Sequence, residues 1–531
     1  MSNSNDMIKI FKRLLFISTV LFFAGCDKDF VEINTNPYAI NSVDPALLFA
    51  GAQRTHVGTW SAEPTIVQQF VTPYNTGANV GFSFNVDIDG ISTPKWGEYN
   101  SNIKNLIQAL TVLGPTTTRV NLKSMIRIWK AQVFMGMVDA YGDVPYSEAG
   151  KAVSDVIFYP KYDDDAVIYA DLYKELHEAI AALSTSADFV PEDLFYGTKA
   201  QPSTKTANAT DQVGKWKKLG NSLLLRLGMR YSKLDAAKAQ TIVAEAFAGG
   251  VMTSNADNAH VKYDGTLYTQ GDNAVLRNFS QYNYAAEPFV NQLKSTTDPR
   301  GKFIIANFPN PGNVAATPNP DTVLANQFGV PIGVEDGPLS AAPYRGIRGG
   351  GLNYSQVNVW TVAAPNAPEF WVTYAQTSLL LAEAKFRGWI TGGLTAQQYY
   401  ENGITADMAA IALYPGTTAI SGGDITAYLA HPAVLYNATD ALKLINTQYW
   451  IVCLRNGTEA FANFRRSGFP ALTPNPIRGL LGPLSDPNSE GFIRRLSYPD
   501  VEASANTANY TAAKTAMGGD NLKGRVFWDK K

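Results

Sequence analysis

The strongest constraint on this chain is a series of long segments whose apolar residues recur on one helix face, set in pairs and joined by short turns. Residues 101–113 put Ile103, Leu106, Ile107 and Leu110 on one stripe. Residues 118–141 continue with Leu122, Met125, Ile126, Trp129, Val133 and Met137. That spacing is the mark of an amphipathic helix, and an apolar stripe has to be buried against a neighbour. The same reading predicts helices over 46–53, 167–183, 216–231, 235–247, 368–389, 395–413 and 440–455. Pairs of this kind predict stacked helical hairpins of the tetratricopeptide type, degenerate because no consensus of about 34 residues recurs.

Local signals agree. Asp44-Pro45 offers an N-cap carboxylate followed by Pro at N1. Asp163-Asp164-Asp165 stands before 167–183, at the positive end of a helix dipole. Three adjacent acids could also hold a cation, but capping accounts for them. Between the helices run three long segments, 57–97, 263–284 and 307–367, rich in Gly, Asn and aromatic residues. Irregular segments of such length in a compact body usually carry function. The expected fold is mainly α, a hairpin scaffold bearing a loop-rich half with short strands.

The N-terminus predicts export. Lys9, Lys12 and Arg13 precede an apolar run beginning at Leu14, and Ala24-Gly25-Cys26 closes it. A charged region, a short apolar region and small residues before the cut form a secretory signal. With Cys26 as first mature residue it becomes a lipoprotein signal, and the thiol would carry a diacylglycerol. The run of about eleven residues is shorter than the roughly 20 that span a bilayer. Asp27-Lys28-Asp29 resembles the acidic signal that sends many Bacteroidetes lipoproteins to the outer face of the outer membrane. The predicted division is signal peptide 1–25, lipidated tether 26–43 and one domain over 44–531. Length alone would suggest several domains, but no Gly/Ser linker divides the chain. Residues 307–326, rich in Pro and Asn, read as a surface loop.

Charge excludes nucleic acid. Removing residues 1–25 takes away Lys9, Lys12, Arg13 and Asp6 and moves the formal charge from −2 to −4, with no basic stripe to displace counterions. Cys453, the other cysteine, lies in an apolar run and is read as an inert buried thiol. The four histidines are scattered without metal-ligand spacing. Asn85-Val86-Asp87-Ile88-Asp89-Gly90 carries half of a calcium-loop pattern. The acid expected further on is missing, so it reads as a turn, with calcium left open. No nucleophile elbow, P-loop, His-Glu-x-x-His or Cys-x-x-Cys is present, and no cofactor is expected beyond the lipid on Cys26. What remains is aromatic. Trp60, Tyr74, Trp96, Tyr282, Tyr284, Tyr344 and Trp360 lie in or beside the loops, where a flat ring can stack on the C–H face of a sugar. The alternative is that such rings pin the loops to the scaffold.

Several stretches carry a resemblance. Asp139-Ala140-Tyr141-Gly142-Asp143-Val144-Pro145-Tyr146-Ser147-Glu148-Ala149 resembles the signature of the SusD/RagB family of outer-membrane lipoproteins. Agreement continues in order through Leu380-Leu381-Ala382-Glu383-Ala384, Gly457-Thr458-Glu459-Ala460, Arg465-Arg466-Ser467-Gly468-Phe469-Pro470, Arg494-Arg495-Leu496-Ser497-Tyr498-Pro499 and Val526-Phe527-Trp528-Asp529. Phe30-Val31-Glu32-Ile33-Asn34-Thr35-Asn36-Pro37 is similar to its mature start. Physically these stretches read as architecture: Gly142 ends a helix, and Arg465, Arg466, Arg494 and Arg495 bond carbonyls or carboxylates between segments. The resemblance implies a surface lipoprotein without enzymatic activity, a lid on a SusC-like TonB-dependent transporter. Such a lid delivers an oligosaccharide or, in RagB-like members, a peptide. The family's sugar-binding aromatics sit in variable loops and do not carry over residue by residue. Two other classes stay open: an all-helical glycosidase, since carboxylate pairs leave no fixed spacing, and a scaffold that binds only protein.

Overall fold

Paired helices dominate, as their stripes require. The computed structural model describes residues 43–55, 62–74, 89–152, 154–198, 208–279, 283–476 and 490–531. Cys26, the leader 1–25, tether residues 27–42, residues 85–88 of the calcium-like stretch, Trp60 and Tyr282 lie outside them.

Helix α1 (Pro45–Thr55) starts at the Asp44-Pro45 signal and packs on α2 (Lys104–Leu113), which continues without a break from a π-helical turn at Tyr99–Ile103. Then α3 (Val120–Tyr141), α4 (Asp165–Ala182), α5 (Ala209–Arg230) and α6 (Ala236–Gly249) each pack on the next. A second group, α7 (Tyr374–Phe386), α8 (Ala396–Ala410), α9 (Ala441–Val452) and α10 (Gly457–Ser467), stacks α7 on α8 and α9, and α9 on α10. Contacts of α10 with α3 and of α7 with α5 fuse the groups into one compact unit, Pro45–Lys531. Two short helices, α11 (Asp500–Ala505) and α12 (Thr507–Ala516), follow. No described helix is long and apolar enough to cross a membrane.

Two expectations need correction. Residues 368–389 are not one helix: Glu369–Val372 is a strand, and α7 starts only after Thr373, whose side chain and that of Gln376 form a capping box. The alternating Glu-Phe-Trp-Val stretch pairs with a neighbouring strand before the cap can act. Helix α5 begins well before residue 216, because the Asn208 side chain accepts the Asp211 N–H at 3.0 Å and caps an earlier start.

Strands are short. In chain order they are β1 (Phe70–Val71), β2 (Val144–Pro145), β3 (Tyr162–Asp163), β4 (Ala259–Val261), β5 (Tyr284–Ala285), β6 (Ile305–Ala306), β7 (Ile347–Arg348), β8 (Gly351–Leu352), β9 (Gln356–Val357) and β10 (Glu369–Val372). Four form an antiparallel sheet in the order β1-β5-β9-β6; β2 pairs β3, β4 pairs β10, and β7 pairs β8.

The arginine motifs are structural, as expected. Arg465 donates to the Arg494 carbonyl at 2.6 Å and to the Asp139 carbonyl, while Arg495 donates to the carbonyls of Tyr141 (3.0 Å) and Gly519 (2.8 Å). Gly142, at φ 83°, ends α3 by donating to Val138 O at 2.9 Å. Cys453 is buried and unbridged, and burial first of all pushes its thiol pKa up.

The acidic run caps a helix. The Asp164 carboxylate accepts the N–H groups of Ala166 and Val167, both at 3.0 Å. Asp143, Asp164 and Asp165 converge within 4.8 Å of one another. Asp143 is nevertheless engaged by the Asp165 N–H at 2.9 Å, and Asp165 by the Phe527 N–H at 2.8 Å. Backbone N–H groups thus engage each of the three carboxylates.

Candidate ligand-binding face

The four-stranded sheet is where the long loops meet. Strand β1 comes from the first, β5 from the end of the second, β6 from just before the third and β9 from within it. Register sets Val71 opposite Tyr284, and Tyr284 opposite Gln356. Strands of two residues cannot bury much alone, so the sheet is supported by a small apolar cluster of Val71, Tyr284, Ala286, Val330, Leu339, Leu352 and Tyr354. Tyr74, Phe328, Ile332, Val334 and Tyr344 pack against it and stay partly exposed.

Tyr284 is fully buried at 0% exposure. Its hydroxyl accepts the Leu352 N–H at 2.9 Å and is hydrogen-bonded to the Tyr74 side chain. Burial first, then the neighbouring Tyr74, holds this phenol well above its usual pKa. Its ring therefore has no free face for a sugar, which corrects the expectation for Tyr284. An inner strand residue is covered by the cluster on its own face, and Tyr284 instead positions Tyr74. Tyr344 sits half-buried on the same cluster, its N–H bonded to Ala341 O at 3.0 Å. Next to it, the Arg345 guanidinium lies 3.4 Å from the Phe328 ring centroid, and its Nε donates to Asn353 O at 3.1 Å. A guanidinium over a ring is held by the ring quadrupole.

The remaining candidates separate. Trp360 is half-buried against the main core, donates Nε1 to Thr317 O at 2.8 Å, and has the Arg277 guanidinium 4.1 Å from its ring centroid. Trp96 is 9% exposed and belongs to the helical half. Its ring contacts Tyr99 at 4.9 Å, Tyr141 at 5.0 Å and Tyr498 at 5.6 Å, and Nε1 donates to Glu502 at 3.2 Å. That corrects the loop-platform expectation for Trp96: it is a packing residue between the 139–149 and 494–499 motifs. Phe328 and Arg345 escaped the sequence reading. Arg345 follows a candidate ring directly, but nothing in the sequence brings Phe328 to it.

What such a face can do is bind: half-exposed rings for apolar faces, and a guanidinium and nearby amides for hydroxyl or carbonyl oxygens. Comparison with known proteins decides the family. The model of the SusD-like family described as starch-binding and associating with the outer membrane matches residues 37–499. The chain belongs to the SusD-like family. Among solved structures, a chitin-binding protein is 27% identical, with a TM-score of 0.74 over 92% of this chain and 100% of that one. The SusD-like protein of Bacteroidetes AC2a shares the fold at 22% identity and a TM-score of 0.75, covering 92% and 100%. A chitin-binding SusD homolog from Flavobacterium johnsoniae does so at 21% identity and 0.71, covering 92% and 99%. A search of the curated proteins finds no match. The mainly helical SusD-like fold is thus shared along nearly the whole chain, as the signature stretches implied.

Proposed function

We propose that this SusD-like protein is a lipid-anchored binding protein of the outer cell surface that captures an oligosaccharide and hands it to a SusC-like TonB-dependent barrel. The observation that carries the binding step is the convergence of the three long loops on one sheet, which sets Tyr74 and Tyr344 half-exposed beside Phe328 and Arg345. The names of its relatives favour a glycan, chitin or starch being the first to try. Capture and delivery require no bond cleavage, and the chain is read as a binder rather than a glycosidase. A lipid on Cys26 would keep the protein beside its barrel while the tether lets it move as a lid. Binding of a glycan panel by the purified protein, with product analysis in the same samples, tests the reading.

A further inference from the structure

A cleft of about 580 Å³ opens on the helical half, between the π-turn with α2, the segment after β2, and α11. That volume falls within the roughly 300–1,000 Å³ typical of small-molecule sites. Asn100, Lys104 and Gln108 line one wall on successive helical turns. Among the described residues these three side chains make no hydrogen bond or ion pair, so their donors and acceptors are available. Phe158, 65% exposed, forms part of the other wall. An exposed phenylalanine on a floppy loop would mean little, but this segment is pinned: Asn506 Nδ2 donates to Pro160 O at 2.7 Å and Asn509 Nδ2 to Tyr159 O at 2.9 Å.

The two carboxylates in the cleft are already engaged. Glu148 accepts the Lys161 N–H at 2.8 Å, and Glu502 accepts Trp96 Nε1 at 3.2 Å and the Tyr162 hydroxyl at 2.6 Å. With two carboxylates beside one ammonium, the cleft has no positive excess to hold a polyanion. The free groups are two amides, one ammonium and the second Glu148 oxygen, lining one cleft with an aromatic ring on a pinned backbone. Amides both donate and accept, which suits vicinal hydroxyls, and the ring suits the C–H face of a pyranose.

We propose that this cleft is a second carbohydrate site, taking a short neutral oligosaccharide on Phe158, Asn100, Lys104 and Gln108. It goes beyond the capture reading, because it uses other elements and does not need the loop face. The test titrates the purified protein with chitotriose and, separately, maltotriose by isothermal calorimetry, alongside Phe158→Ala, the double variant Asn100→Ala/Gln108→Ala, and Tyr344→Ala. A trialanine titration runs in parallel, and thermal melts confirm that the variants fold. Wild type should bind one of the sugars at more than one site per chain. Each cleft variant should lose one site or weaken it at least tenfold, while Tyr344→Ala keeps it. Loss confined to Tyr344→Ala upholds the capture face and overturns the second site. Unchanged titrations in both cleft variants, binding of neither sugar, or uptake of trialanine alone also overturn it.

Discussion

Arg466 and Glu383 form a buried bidentate ion pair, Nη1 to Oε1 and Nη2 to Oε2, both at 2.7 Å. It ties α10 to α7, and so joins two of the signature stretches. Asn446 and Asn463 accept further Arg466 bonds at 2.9 Å and 2.7 Å, while Arg387 adds a 2.9 Å contact to Glu383. Removing one partner strands the other charge in a medium that cannot solvate it.

Glu383→Gln should therefore lower unfolding stability by about 3–5 kcal/mol, the usual cost of an orphaned buried charge. Urea or guanidinium unfolding measures it; a loss under about 1 kcal/mol, no more than an exposed pair is worth, would contradict the role given to this pair. Burial pushes the Glu383 carboxyl up, but Arg466 and Arg387 outweigh it and hold it at about 2. A lowered folded-state pKa contributes stability present above the unfolded value, so this contribution should fade as pH falls from about 4.5 toward 2.

Asp165 and Asp143 predict the opposite slope. Burial first, with Asp143 and Asp164 adding, pushes Asp165 to about 7 against the Phe527 N–H bond; burial first, with Asp164 and Asp163 adding, pushes Asp143 to about 6 against the Asp165 N–H bond. A raised folded-state pKa contributes stability present below the unfolded value and lost as pH rises through the folded one. Wild type should lose stability from pH 5 to pH 8 through these groups. Asp165→Asn, which can still accept the Phe527 N–H, should flatten that loss. Equal unfolding free energies of wild type at pH 5 and pH 8, or the same loss in Asp165→Asn, measured by denaturant titration, would refute it.

The loop face separates support from contact. Tyr344→Ala and Tyr74→Ala should weaken glycan binding by on the order of 1 kcal/mol each, as loss of one ring contact does; Tyr74→Ala should also lower the melting temperature, because it removes the bond to the Tyr284 hydroxyl. Tyr284→Phe should cost about 1 kcal/mol of stability through the lost hydroxyl bonds. Its effect on binding should come only through Tyr74. Calorimetry paired with thermal melts distinguishes these, and a Tyr344→Ala variant with full affinity would remove that ring from the face.

The scaffold was legible because its helices carry one apolar stripe each, and the arginine pairs because buried guanidinium groups need oxygen partners. Helix α10 was not: Glu459, Arg465 and Arg466 are buried by pairing, so no apolar periodicity announces it. Strand β10 was absorbed into a helix because its apolar residues run on into those of α7. The site was the least legible part. Two-residue strands leave no period in the sequence, and whether a loop ring is a support, like Tyr284, or half-open, like Tyr344, depends on register between segments far apart in the chain.

Cys26→Ala tests the anchor by itself. Cells expressing it should lose the protein from the outer-membrane fraction and from surface labelling, while the purified variant binds glycan as wild type does. A fall in binding would mean that the anchor region belongs to the site.

The most direct measurement of the central claim is binding of the purified protein to a glycan panel that includes chito- and malto-oligosaccharides, with chromatography of the same samples. The expected result is saturable binding of at least one oligosaccharide series, no shortened products, and weakening by Tyr344→Ala. Release of shorter sugars would make the protein an enzyme. Binding of peptides with no glycan bound would contradict the glycan-capture account.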